Sequence, residues 1–572
     1  MLQTWVIVVV SVGYLGLLFA VASWADRRAD TGRSVINNAT VYALSLAVYE
    51  TAWGFYGNVG TAATSGVGFL SVYLGPMLMF ALGWLVLRRI IRVSRRLRIT
   101  SLADFVSARY GKSAALGGVV TIIAVVGIVP YISLQLKAIS NTFEILRRHP
   151  KITSTSELGH IPLFQDTGFY VALLLAAFTI LFGTRHLDTT ERHEGIVAAI
   201  AFESVVKLVM FLSVGIFVTF WAFGGFGDLF SQAADADLTE LFTVREKTGY
   251  GEWIWLNVLS MLAIVLLPRQ WQMIVVENVD EGHLKRAMWL FPLYLLAITF
   301  FVLPIAAGGL LRFGKSVDAD TYVLALPMAD GPQVLALLAF IGGISAGTGM
   351  IIVETVALST MVSNSLVMPL LLHTRSRLAH QTDVAGLVLG IRRVTIVLVL
   401  LLGYTYFRLA GEGSALGSIG TVSFAAVAQF APAILGGLFW KGGTRSGVLA
   451  GLVAGFAVWA YTLLLPSFAD AGLLPSSYLR DGPFGIELLR PQHLFGLEGM
   501  DPISHAMFWS ALVNIGGYVA VSLPRRPAER LGAGVGHAVR GGSRGARQGA
   551  AALAGPCHGR RAGCAAGALP RP

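Results

Sequence analysis

The chain is almost without cysteine: two among 572 residues, Cys557 and Cys564, both near the C-terminus. A disulfide framework and a thiolate-held metal centre are therefore excluded for everything before them. Charge is also scarce, 13% against about 25% in an ordinary soluble domain. No loop between the apolar runs is long enough for a soluble domain of useful size. Phosphate-binding glycine loops, nucleophile elbows and metal-ligand spacings are missing too, which leaves an integral membrane enzyme little support. The one excess, a net charge of +11, sits in the wrong place for nucleic acid. After Pro524 come nine arginines and a single acid, Glu529, and without them the balance is +3. That is ordinary for a membrane protein with basic cytoplasmic loops, so no nucleic-acid partner is expected.

What the chain has is apolar length. Its residues are 55% hydrophobic, in runs that recur end to end; a span needs about 20. The fold class expected is an all-α polytopic membrane protein in the bacterial inner membrane, with the lipid bilayer as partner. About thirteen spans are predicted, near 3–24, 40–60, 67–87, 115–142, 166–184, 194–223, 252–276, 287–311, 333–371, 391–410, 414–440, 445–466 and 503–523. The run 333–371 is too long for one straight span and suggests an extra turn or a re-entrant piece. Trp5–Ala22 lacks a basic leader and precedes Asp26-Arg27-Arg28, so it reads as a first membrane helix and not as a cleaved signal.

Lys and Arg in the short loops set the orientation. One set holds Arg27, Arg28, Arg88, Arg89, Arg92, Arg95, Arg96, Arg98, Arg185, Arg192, Lys285, Arg286, Arg375, Arg377, Lys441, Arg525 and Arg526. The opposite loops hold Asp235, Asp237, Glu240, Asp318 and Asp320, with Arg147, Arg148, Lys151, Arg312 and Lys315 on the wrong side. With an odd span count the N-terminus is outside and the C-terminus inside. Two regions follow: a transmembrane domain, 1–523, and a tail, 524–572, of Gly, Ala, Arg and Pro without Ile, Phe, Tyr or Lys. Such a tail cannot bury a core and is expected to be disordered. Its composition is also that of a GC-rich gene read in a shifted frame, which sequencing past the codon for Leu523 tests.

Val41–Gly60, VYALSLAVYETAWGFYGNVG, draws attention within the membrane domain. It is apolar enough to enter a bilayer yet carries Glu50 at its middle, an intrusion costing roughly 2.5–3.5 kcal/mol. Gly54, Gly57 and Gly60 weaken the helix beside that charge. A broken helix with a carboxylate at membrane depth is the pattern of a transporter ion or substrate site. Two alternatives remain for Glu50: a titratable role in coupling, or a purely structural pair with Lys137 or Lys207.

Four segments together resemble the sodium/solute symporter family: Pro432–Gly451 (PAILGGLFWKGGTRSGVLAG), Thr100–Gly111 (TSLADFVSARYG), Tyr131–Leu136 (YISLQL) and Glu194–Lys207 (EGIVAAIAFESVVK). The resemblance covers about 5–523 in order. It implies the inverted-repeat, leucine-transporter-like fold and symport by alternating access. Residues 268–295 and 353–372 look closer still to the transporter-like membrane input domain of bacterial sensor histidine kinases. That likeness implies a kinase domain or response regulator as partner, although no histidine-box helix or ATP-binding glycine motif follows.

The resemblance also implies a site. One sodium ion would be held by the carbonyls of Val48 and Thr51, the carbonyl of Val356 and the hydroxyls of Ser359 and Thr360. A register on Ala346 and Gly349 is set aside because it has no hydroxyl pair. Glu50, where the proline-transporting branch has an aspartate, and Glu203, at the family's sixth-span acid, join as ion-coupling residues, with Na+ or H+ as the coupling ion and no other cofactor. The substrate would meet Tyr49, Trp53, Tyr56, Arg269, Gln270 and Glu354, and an amino acid such as histidine or proline is expected. The plainer alternatives are that Ser359 and Thr360 bond their own helix, that Glu203 and Lys207 form an i,i+4 pair, that the rings are packing, and that Arg269 anchors a span end at the interface.

Overall fold

The computed structural model describes residues 3–148, 162–183, 193–244, 249–374, 384–411 and 415–524. All regular structure in these residues is helical, as a lipid-embedded backbone requires, because only a helix satisfies every N–H and C=O within its own segment. Ten helical runs are long and apolar enough to cross a membrane. The chain is a multi-pass membrane protein. The predicted tail lies outside the described residues, apart from Pro524.

Two spans are interrupted. The first consists of Ala39–Ser45, a tight turn Leu46–Tyr49, an unwound Glu50–Thr51, and helix again through Ser65. Glu50 is extended there, with ψ 99°. The glycines expected to weaken this helix lie beyond the break and have another use. A Cβ at Gly54 would strike the Glu50 carboxylate, one at Gly57 would strike Leu416, and one at Gly60 would strike Asp320. They permit close approach. The second interruption falls at Leu267, whose ψ of 131° separates Gly249–Leu266 from Pro268–Trp271. Proline suits the restart because the first turn of a helix has no use for its missing N–H.

The expected overlong span is one continuous helix, Gln333–Val362, that passes through a wide turn into Met368–Thr374. No re-entrant piece appears in it. It runs antiparallel to Glu194–Phe217: Gly349 packs on Ile200 and Glu203, and Gly342 on Met210. Two of the four recognised segments serve this scaffold. Tyr110 donates to Ala433 O at 2.8 Å and pairs with Tyr518 at 2.7 Å, while Arg109 Nε reaches Gly437 O. Gly447, Gly451 and Gly455 seat Arg445–Trp459 against Ser522 and Asn514 of the last helix, a small-residue seam of the kind that lets membrane helices touch.

Charge divides the ends. At one end Glu281 holds Arg88 and Arg92, the latter at 2.8 Å, and Arg286 meets Thr40 at 2.7 Å. Those two guanidinium groups hold the Glu281 carboxyl down to about 2. Arg147 and Arg148, on the wrong side by loop charge, both pair with Glu144, at 2.7 and 3.3 Å. Arg312 pairs with Asp330 at 2.8 Å. An acid therefore sits beside each of these exceptions, with Arg147 and Arg148 sharing the one carboxylate of Glu144. Arg185, Arg192, Lys151, Arg375 and Arg377 lie outside the described residues.

Candidate functional site

Unwinding at Glu50 opens the backbone in mid-span, where Ala47 O still accepts from Glu50 N at 3.0 Å, and a cation meets the carbonyls at the break. Lys207 Nζ, on Glu194–Phe217, donates to Ala47 O and Glu50 O at 2.6 Å each. Lys207 is 2% exposed, so these bonds replace the water its ammonium has lost. The carbonyls engaged are one residue earlier than Val48 and Thr51, with the same spacing of three. Thr51 instead uses its side chain: Oγ1 lies 3.0 Å from Tyr131 Oη and accepts from Trp53 N. Ala52 N donates to Gln135 Oε1 at 2.9 Å. Tyr131 and Gln135 thus finish the broken end, which is the work of the YISLQL segment.

Carboxylates flank the seat. Glu50 Oε2 accepts from Tyr73 Oη at 3.2 Å. Glu203 does not pair with Lys207; its Oε1 accepts from Thr348 Oγ1 at 2.9 Å, Ser345 Oγ donates to its backbone carbonyl, and its Oε2 has no partner. The expected i,i+4 pair is replaced because Lys207 reaches across to the neighbouring helix instead of along its own. Ser345 and Thr348 therefore share the level of the break. Ser359 is eleven residues on, about 16 Å along the helix at ~1.5 Å per residue, and its Oγ donates to Val356 O at 2.9 Å. Ser359, Thr360 and Val356 are accordingly not brought to the first interruption. The stretch around Ala346 and Gly349, set aside for want of a hydroxyl pair, is. Its hydroxyls, Ser345 and Thr348, flank Ala346 instead of following it as a pair.

The second interruption presents donors. Arg269 and Gln270 occupy its first turn with no exposed surface. Arg269 Nη1 bonds Glu354 Oε2 at 3.0 Å, and the guanidinium lies 4.3 Å from the centre of the Tyr131 ring. Its Nε and Nη2, both amide atoms of Gln270 and Glu354 Oε1 have no protein partner. An interfacial anchor would snorkel to water. Arg269 is buried, and that alternative is overturned. Counted as ionised, Glu50, Glu203 and Glu354 against Lys207 and Arg269 leave this buried group one positive charge short of neutral.

The aromatic wall divides. Tyr49 Oη donates to Val72 O at 2.8 Å and Tyr56 Oη to Ala339 O at 3.3 Å, so both rings are held as packing. Trp53, 5.0 Å from the Phe424 ring, is different: it forms the floor of a cavity of about 310 Å³ that opens toward the acidic end. Its Nε1 is buried without a partner. Glu252, Asp318 and Asp320 line the same cavity. Burial, with Asp318 alongside, raises the Asp320 carboxyl to about 7, although Asp320 Oδ2 accepts from Leu416 N at 2.9 Å. Sequence reasoning missed the role of Lys207 and the cavity acids. A lone lysine in an apolar run was the available signal for the first; nothing local marks the second.

No family model matches the chain. Two curated relatives from Bacillus subtilis (strain 168) do. One is the uncharacterized symporter YodF, 24% identical over 472 residues, 79% of this chain and 85% of the relative. The other is the uncharacterized symporter YhjB, 23% identical over 432 residues, 74% and 80% of the two chains. Among solved structures the chain is similar to the substrate-bound outward-open state of a Na+-coupled sialic acid symporter. The TM-score is 0.64, covering 92% of this chain and 99% of that one at 14% identity. At that identity the likeness is one of fold.

Proposed function

We propose that the chain is a cation-coupled secondary transporter of a small carboxylate-bearing solute, working by alternating access around its two interrupted helices. The observation that carries the reading is the Lys207 ammonium on the carbonyls of Ala47 and Glu50 at the break, beside acids that, counted as ionised, outnumber the two cations by one. A proton or a sodium ion would make up that difference. The lysine favours the proton: while Lys207 is charged it occupies the carbonyls that a hard cation would use, whereas a proton taken up by a flanking acid adds the charge without displacing it. Likeness to the structure of a Na+-coupled symporter favours sodium. The unpartnered Nε and Nη2 of Arg269 suit a carboxylate, which an amino acid carries. Both relatives are named as symporters, and neither name mentions a sensor or a kinase.

Uptake of labelled histidine and proline into vesicles holding the purified chain, under an imposed pH or sodium gradient, tests this. Accumulation driven by the pH gradient alone supports coupling to the proton. Accumulation that needs sodium assigns the other coupling. Binding without any accumulation overturns transport.

A further inference from the structure

At the basic end two guanidinium groups meet without an acid to hold them. Trp84–Leu97 carries Arg88, Arg89, Arg92, Arg95 and Arg96. Arg88 and Arg92 are held by Glu281, and Arg95 Nη2 donates to Val279 O at 2.7 Å. Arg89 is exposed and has no carboxylate or carbonyl partner among the described residues; its guanidinium lies 4.8 Å from the centre of the Phe439 ring. Arg109, at the end of the short helix Leu102–Arg109, comes to the same place: its Nε bonds Gly437 O, two residues before Phe439. The one acid of that short helix, Asp104, accepts from Thr100 N at 3.1 Å. Burial first, and the like charge of Arg89 after it, hold the Arg109 guanidinium below its ordinary range. Two membrane spans end at this corner, Trp53–Leu82 and Leu416–Phe439. Leu85, one turn before Arg89, and Leu435, one turn before Phe439, are exposed on the span side of the two cations, and Phe439 is exposed with them.

We propose that this corner is a site for an anionic phospholipid, with the headgroup phosphate between Arg89 and Arg109 and the acyl chains on Leu85, Leu435 and Phe439. A phosphate diester accepts from two guanidinium groups at once, and its charge relieves the repulsion between them. A guanidinium lying on a ring keeps its N–H edge free for such an oxygen. The apolar side chains decide between a lipid and a dissolved anion, because only the lipid gains from both parts of the corner. A zwitterionic headgroup fits less well, since it brings an ammonium that the two arginines repel. The site does not depend on which solute the chain carries.

The test is equilibrium binding to the purified full-length chain in detergent, with dioctanoyl phosphatidylglycerol, dioctanoyl phosphatidylcholine and inorganic phosphate as probes. Phosphatidylglycerol is expected to bind at least about tenfold more tightly than either of the others, since each arginine near an anionic lipid contributes about fivefold. Arg89→Gln lowers its affinity about fivefold and leaves phosphatidylcholine unchanged. Arg89 is exposed and makes no hydrogen bond among the described residues, so this variant tests binding and not folding. Arg92→Gln takes the same charge from the same helix, but from a side chain already held by Glu281, and leaves the preference within about twofold of wild type. Equal affinity for the two lipids overturns the proposal. A loss in Arg92→Gln as large as that in Arg89→Gln also overturns it, because the attraction is then that of a diffuse basic surface. Inorganic phosphate binding as tightly as phosphatidylglycerol assigns a free-anion site and overturns the lipid.

Discussion

The two interrupted helices break in opposite chemical senses. At Glu50–Thr51 a helix unwinds and leaves carbonyl oxygens, and the structure answers with the Lys207 ammonium. At Leu267 a helix restarts on Pro268 and leaves donors, Arg269 foremost, two of whose nitrogens are unpartnered. One break is prepared for positive charge and already holds it, on a side chain. The other is prepared for negative charge and is only half supplied, by Glu354 at 3.0 Å. Asymmetry of this kind places a cation seat and an anion seat in one buried group, with the Tyr131 ring between the guanidinium and Thr51.

Removing each seat's charge is the direct way to break the comparison. Arg269→Leu strands Glu354 without a partner, and loss of one member of a buried pair costs about 3–5 kcal/mol. Denaturation in detergent should show it as the largest effect of the set, together with loss of carboxylate-solute binding. A loss under 1 kcal/mol would mean that the pair is not shielded from water. Lys207→Met should cost roughly 3 kcal/mol, the value of two charge-assisted hydrogen bonds. It should also make the melting temperature respond to Na+ over choline, because the carbonyl seat is now open to a mobile cation. An unresponsive variant would mean that the carbonyls do not form a cation seat.

The smaller predictions sharpen the contrast between membrane centre and acidic end. Asp320 has its carboxyl raised to about 7, so the folded state binds its proton more tightly than the unfolded chain does. Wild-type stability therefore falls as pH rises from about 4 to 7, then holds. Asp320→Asn should flatten that slope, gaining ~1–2 kcal/mol at pH 8 and nothing at pH 4, since the cavity wall is partly wet. Melting curves across that window check the sign. Ser359→Ala should be nearly silent, within ~0.5 kcal/mol, because its hydroxyl only bonds its own helix. A tenfold fall in cation-driven uptake in that variant would return the ion site to the register first expected.

Much of this was legible in the residues. Glu50 in an apolar run marked the break to within a residue, since a carboxylate in lipid needs a polar environment and an unwound backbone provides one. Arg269 and Glu354 were singled out, but their pairing was not, because they are far apart in the chain. The register expected on the long helix lies away from the break for a related reason. A small residue followed three and four positions on by hydroxyls occurs at Val356, Ser359 and Thr360, but which turn of a 30-residue helix faces the break depends on how the helices slide together. Only the contacts of Glu203 with Ser345 and Thr348 decide that level.

Composition and hydropathy determined by themselves that the chain is a bundle of membrane helices, because lipid permits few other ways to satisfy a backbone. Glu50 also marked one place where that bundle would be interrupted; the break at Leu267 was not expected, and Pro76, Pro130 and Pro292 lie inside continuous helices. Tertiary structure decided who answers each interruption. The amine of Lys207 could have turned to Glu203 four residues away, and it instead reached another helix, where two carbonyls, Ala47 O and Glu50 O, converge on it. The acidic cavity is likewise a product of assembly: its carboxylates come from two separate segments, and only packing gives them a common wall.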